Sequence, residues 1–348
     1  MSAKEKLKFK LPASLGFAAF IIIMAGVMYA QGLVSQLLMS LFVSIICFQP
    51  IAWLQKRKFP KGIAIALVFI ATIGIFVIIG EIISSSLTSF SADAAEYESR
   101  LEQMGADALG SLEEMGITIP VDQFSSGASP SKVLSFTAGF LGELSGVMGT
   151  MFTVFFLVLF LLMEIDSFDL KAKAITSSSK ISIAYLDTII NNIRHYLSIK
   201  TMTSLLTGAI VWIGLTITGV DYAIMWALIA FLLNYIPNIG SIIAAIPAIL
   251  FAVIQLGYVG ALWTMVIFLI ANMVVGNVVE PKMMGKGLGL STFVVFLSLI
   301  FLGFVLGTVG MFLSVPLTMT IKIVLEQKPE TKWIAVLLGT DEDARNFS

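Results

Sequence analysis

Four times in its first 163 residues the chain runs for about twenty residues with almost nothing but apolar side chains, and from Thr201 to Val279 it does so nearly without pause. A helix of about 20 residues spans the roughly 30 Å hydrocarbon core of a bilayer. In that medium every backbone amide must find its partner inside the protein, which leaves only helices and closed barrels. Short alternating strands of the kind a barrel needs are missing. Charged residues make up 12% of the chain, against about 25% in a soluble globular protein, and the mean hydropathy is +0.97. The expectation is an all-α polytopic membrane protein of about seven or eight transmembrane helices.

The first run, Leu11 to Ala30, follows Lys4, Lys6, Lys8 and Lys10. Its core is longer than that of a cleaved secretory signal and further spans follow, so it reads as an uncleaved anchor. Leu33 to Leu54 and Gly62 to Ile83 form the second and third spans, joined by a basic turn, so 1–83 is an N-terminal group of three helices. From 84 to 142 the composition turns acidic: Asp93, Glu96, Glu98, Glu102, Asp107, Glu113, Glu114 and Asp122, with Glu143 at the edge, face only Arg100 and Lys132. That is a water-exposed insert, helical in composition from Ala92 to Met115 and loop-like from Ser125 to Pro130. A fourth span lies within 143–165. Residues 166–200 intersperse Lys171, Lys173, Lys180, Arg194 and Lys200 with apolar positions at helical spacing, as in a helix lying on the membrane surface. The remainder divides into a core with broken helices, 201–325, and a tail, 326–348.

Short loops rich in Lys and Arg stay cytoplasmic. With both termini, 55–61, 166–200 and 281–290 placed inside, nineteen of the 21 basic residues are cytoplasmic. The acidic insert is then extracytoplasmic, as the alternation of the first three spans also requires.

The apolar core is interrupted twice. Asn234, Pro237, Asn238 and Gly240, followed by Pro247, break the first segment; Gly307, Gly310 and Pro316 break a second seventy residues on. Proline removes a backbone donor, and such breaks survive at membrane depth only where protein or a wet cavity supplies partners. Transporters use broken helices of this kind to bind solutes near the midplane, although a kinked packing helix has the same sequence. Phe231 and Phe301, Leu232 and Leu302, and Gly240 and Gly310 share the seventy-residue offset, a weak repeat that would set the two breaks face to face. Between them Asn272, Gly276 and Glu280 recur at four-residue spacing, with Asn277 and Pro281 alongside. Ionisable groups bordering spans are costly and point to function, so Glu280 is the candidate titratable or cation-binding group, or else an interfacial carboxylate paired with Lys282 or Lys286.

Phosphate-binding loops, zinc-protease helices and nucleophile elbows do not occur in the sequence, so an enzyme is not expected and neither is a cofactor. One cysteine, Cys47, and one histidine, His195, cannot build a metal site by themselves. A net charge of -1 gives no reason to expect nucleic acid. The expected partners are a small-molecule or ion substrate and the bilayer.

Pro237-Asn-Ile-Gly240 with Pro247, the stretch from Val279 to Leu290, and Gly303 with Gly307, Gly310 and Pro316 resemble the autoinducer-2 exporter (PerM-like) family of bacterial membrane proteins. The layout of the first half is similar too. The resemblance implies export of a small molecule such as the quorum-sensing signal autoinducer-2, with sodium or lithium/proton antiport as the other family chemistry, and assembly into homo-oligomers such as pentamers. A non-transporting scaffold that binds a partner through the insert is the reading from a different class.

Overall fold

The computed structural model describes residues 13–115, 135–140, 142, 151–164, 167, 183–284 and 289–345, and every regular element among them is helical. Helices α1 (Ala13–Tyr29), α2 (Gln31–Lys56) and α3 (Lys61–Ala92) follow one another across tight connections. They are apolar on nearly every face, as befits helices with lipid around them. Helix α3 continues nine residues past the apolar run, to Ala92, and α4 (Ala94–Glu114) carries the acidic stretch. Helix α5 (Met151–Glu164) packs Val154, Val158 and Leu162 against Val43, Cys47, Ala64 and Val68 of α2 and α3. The loop at Ser125 to Pro130 lies outside the described residues, as do the N-terminal lysines.

Helix α6 runs unbroken from Ile183 to Thr218. The sequence expects a surface helix over 166–200; from Ile183 on these residues run without a break into the apolar stretch that ends at Thr218, while 168–182 fall outside the described residues. Helix α7 (Ala223–Leu233) returns beside α6, so that Asn234 donates to Ser204 at 3.0 Å and Tyr235 to Thr201 at 2.8 Å.

The next two elements are hairpins. Helix α8 (Gly240–Ala271) continues into a π-helical turn (Asn272–Val279) and α9 (Glu280–Met284). At 1.5 Å per residue a straight helix would hold Ser241 and Asn272 about 46 Å apart. They are hydrogen-bonded at 3.1 Å. The reversal occurs at Gly257, whose φ of 72° and ψ of -166° belong to a region open essentially to glycine alone. Helix α10 (Thr292–Glu326) does the same at Gly307, with φ 68° and ψ -151°. Its two arms bring Lys322 to the Gly289 carbonyl at 2.6 Å.

Both glycine turns lie at the same end of the bundle. Near Gly307, Ser35 at the start of α2 donates to the Leu306 carbonyl at 3.0 Å. Near Gly257, Gln255 donates to Gly219, and Arg100 of α4 donates to the Gln255 carbonyl. The breaks expected at 231–247 and 301–316 are therefore chain reversals of two kinds: a bend at Asn234–Ile239 at the opposite, basic end, and the Gly307 turn at the acidic end. Gly257, which the seventy-residue offset does not single out, is the counterpart of Gly307, fifty residues before it. Short helices α11 (Lys332–Leu338) and α12 (Asp341–Arg345) close the basic end, where Leu338 accepts from Ser291 at 3.1 Å.

The acidic end is densely packed. Phe251 sits among Phe90, Tyr97, Tyr222 and Trp226, with ring centroids 5.4 to 5.9 Å away. Tyr222 donates to Asp93 at 3.0 Å, tying α7 to the end of α3.

Candidate functional site

The bend after α7 is built by Pro237 and Asn238. Proline cannot continue the helical hydrogen bonding, and Asn238 takes a left-handed φ of 62°, which asparagine tolerates better than most residues. The chain then enters α8 at Gly240, where a Cβ would run into the Leu233 carbonyl. Across from this bend the returning arm of the first hairpin is π-helical over eight residues. A wide turn of this sort is less favourable than α-helix and concentrates at functional positions. It delivers Glu280 to the basic end.

Glu280 faces Lys200 of α6. The ammonium donates to both carboxylate oxygens, at 2.8 and 3.0 Å, and the side chains are 4% exposed for Lys200 and 19% for Glu280. The pair expected with Lys282 or Lys286 is thus replaced by one with a lysine eighty residues away; Lys286 lies outside the described residues. The physical reason is burial: an interior carboxylate needs a partner that is also withdrawn from water, and Lys282 is exposed.

Beside the ion pair lies a surface-open cavity of about 310 Å³, bordered by Tyr196, Pro237, Asn238, Gly276, Glu280, Pro281 and Thr292, with Leu290, Val295 and Val315 as apolar wall. Five of the residues singled out from sequence meet there: Pro237, Asn238, Gly276, Glu280 and Pro281. The others lie elsewhere. Asn234 is held by Ser204 on the α6 face and Asn272 by Ser241 inside the first hairpin, while Asn277 is exposed. Gly240 and Pro247 belong to the ascending arm. Gly307 and Gly310 are at the far, acidic end, where a Cβ on Gly310 would meet the Leu302 carbonyl; Pro316 is buried in the descending arm of α10. The polar stripe of Asn272, Gly276 and Glu280 is divided between hairpin interior and cavity.

In the sequence Lys200 counts only as one basic residue of a surface helix, and Tyr196 is not singled out. Both sit one turn apart on α6, in a stretch whose alternation of basic and apolar residues resembles any interfacial helix. Only the fold reveals that their face is turned inward.

A family model described as AI-2E family transporter matches residues 17–330. A candidate transport protein of Haemophilus influenzae is 44% identical over 336 residues, which cover 94% of this chain and 96% of the relative. The AI-2 transport protein TqsA of Escherichia coli K12 is 35% identical over 319 residues, 92% of this chain and 93% of the relative.

Proposed function

We infer function from one premise: the chain belongs to the AI-2E transporter family. It is a multi-pass membrane transporter, and we propose that it exports a small molecule, autoinducer-2, across the bacterial inner membrane, with its basic end and both termini in the cytoplasm. The 35% identity to the AI-2 transport protein supports that choice of solute. The observation that carries the mechanism is the Lys200–Glu280 pair at the cavity wall. An ion pair largely removed from water, at the end of a π-helical arm, is a switchable contact: a solute hydroxyl donating to Glu280, or a proton bound to it, competes for the carboxylate and loosens α9 from α6. Restoring the pair closes the site behind the departing solute. The homo-oligomer implied by the family resemblance belongs to the same proposal, and the mass of the detergent-solubilised protein measures it.

The test is flux in proteoliposomes of the purified chain. Autoinducer-2 release and sodium- or lithium-driven proton movement are compared in wild type and in Lys200→Met/Glu280→Gln, which removes both charges together. Autoinducer-2 release in wild type that is lost in the double variant is the expected result. Cation-driven proton flux lost in the variant, without autoinducer-2 release, would replace export by antiport. Neither flux in wild type would overturn the reading.

A further inference from the structure

Among the described residues that border the cavity at the basic end, Glu280 and Tyr196 are polar side chains withdrawn from water, and they differ in pairing. Lys200 and Glu280 satisfy each other, Tyr235 donates to Thr201, and Asn234 donates to Ser204. Tyr196 has no such partner. It is 2% exposed, its hydroxyl is buried without a hydrogen bond to the protein, and the residue borders the same cavity as Glu280. A phenol withdrawn from water and left unpaired is less stable than a paired one, because its lost hydrogen bonds to water are not replaced. A position that merely filled space next to Leu197 and Leu290 would be served at lower cost by phenylalanine.

We propose that Tyr196 is a solute-binding residue whose phenol O–H donates to an oxygen of the transported molecule. This rests on the cavity beside Lys200 and Glu280 being the transport site. The chemistry then defines a substrate class. Glu280 accepts and Tyr196 donates, so the site matches a small neutral solute bearing at least one hydroxyl and one carbonyl, ether or hydroxyl oxygen as acceptor. Thr292, at the same wall, adds a hydroxyl that serves in either sense.

The experiment uses the full chain in proteoliposomes, with autoinducer-2 as the probe, and Tyr196→Phe as the variant that retains the ring. The expected result is a KM for autoinducer-2 release about tenfold higher, the consequence of one lost hydrogen bond to a solute, with kcat nearly unchanged. In parallel, the solute-free variant in detergent should unfold at the same temperature as wild type or a higher one, because the unpaired hydroxyl is gone. An unchanged KM in Tyr196→Phe would overturn the proposal, and so would a lowered unfolding temperature, since that is the signature of a hydroxyl engaged within the folded protein. Wild type that carries no autoinducer-2 would sink the export reading instead; the solute-free comparison then decides for or against an unsatisfied Tyr196 without any solute.

Discussion

The two hairpins of the C-terminal half turn in the same way and return differently. Each reverses at a glycine with φ near 70° and a strongly negative ψ, at the acidic end of the bundle. Past the turn, the second hairpin descends as α-helix and is anchored by Lys322, which donates to Gly289 and pairs with the half-exposed Glu326 at 3.4 Å. The first descends into a π-helical turn and ends on Glu280, whose partner Lys200 is buried. A regular arm with a water-reachable charge pair is a support. In the export mechanism proposed above, the irregular arm that ends on an ion pair beside a cavity is the working part.

The largest expected effect separates these two ion pairs. Lys200→Met alone leaves Glu280 inside the protein without its counter-charge and should lower stability by about 3–5 kcal/mol, as for other broken buried pairs. Lys200→Met/Glu280→Gln should recover most of that loss. In the second hairpin Glu326 keeps access to water, so the charge stranded by Lys322→Met costs little, and the loss there should come mainly from the bond to Gly289, about 1 kcal/mol. Thermal unfolding in detergent ranks the three variants; equal losses for the two lysines would remove the distinction between the arms.

A smaller contrast lies at the turns. An alanine at Gly257 meets no neighbour and suffers only the backbone strain of its dihedrals, about 1–3 kcal/mol. An alanine at Gly307 bears that strain and also places its Cβ 2.6 Å from the Gln31 amide nitrogen of α2. Gly307→Ala should therefore unfold at the lower temperature of the two, and adding Gln31→Ala should narrow the gap. If Gly257→Ala is the more damaging, steric contact with α2 is not what fixes the second hairpin.

The smallest expected effect concerns the acidic end, where the first hairpin's tip is clasped from outside. Burial, together with donation to Asp93, holds the Tyr222 phenol far above its ordinary range, and burial raises Tyr97 as well. Folding thus favours the protonated phenols. Their contribution is complete below the unfolded-state value of about 10 and is lost as pH climbs beyond it. Stability followed from pH 8 to 11 should fall less steeply in Tyr222→Phe than in wild type, and identical slopes would detach Tyr222 from the alkaline transition.

Much of the membrane architecture was legible from the sequence. The spans of α2 and α3 and the bend at Pro237 and Asn238 lie close to where the apolar runs and breaks put them, and α5 is the described part of the run expected as a fourth span. Glu280 stands out in the sequence as a costly group at a span end, and it lines the cavity. Sequence proximity pairs it with the nearest lysines, and the fold chose Lys200 instead. Gly257 is passed over because glycine in an apolar run reads the same whether it packs against a neighbouring helix or turns the chain through a reversal. Tyr196 carries no signal at all: an unsatisfied hydroxyl is a property of what surrounds it.

The division has a physical cause. Partition into lipid is close to a sum over residues, each contributing its own transfer free energy, so a window of about twenty residues suffices to locate a span, and the Lys and Arg distribution suffices to suggest its direction. Hairpins, the ion pair and the cavity arise from interactions between residues far apart in the chain, such as Lys200 with Glu280 and Ser241 with Asn272. Their energies depend on distance and burial, which come into being only when the helices pack. The sequence by itself determined that this chain lives in a membrane as helices; tertiary packing decided which of its few polar side chains meet.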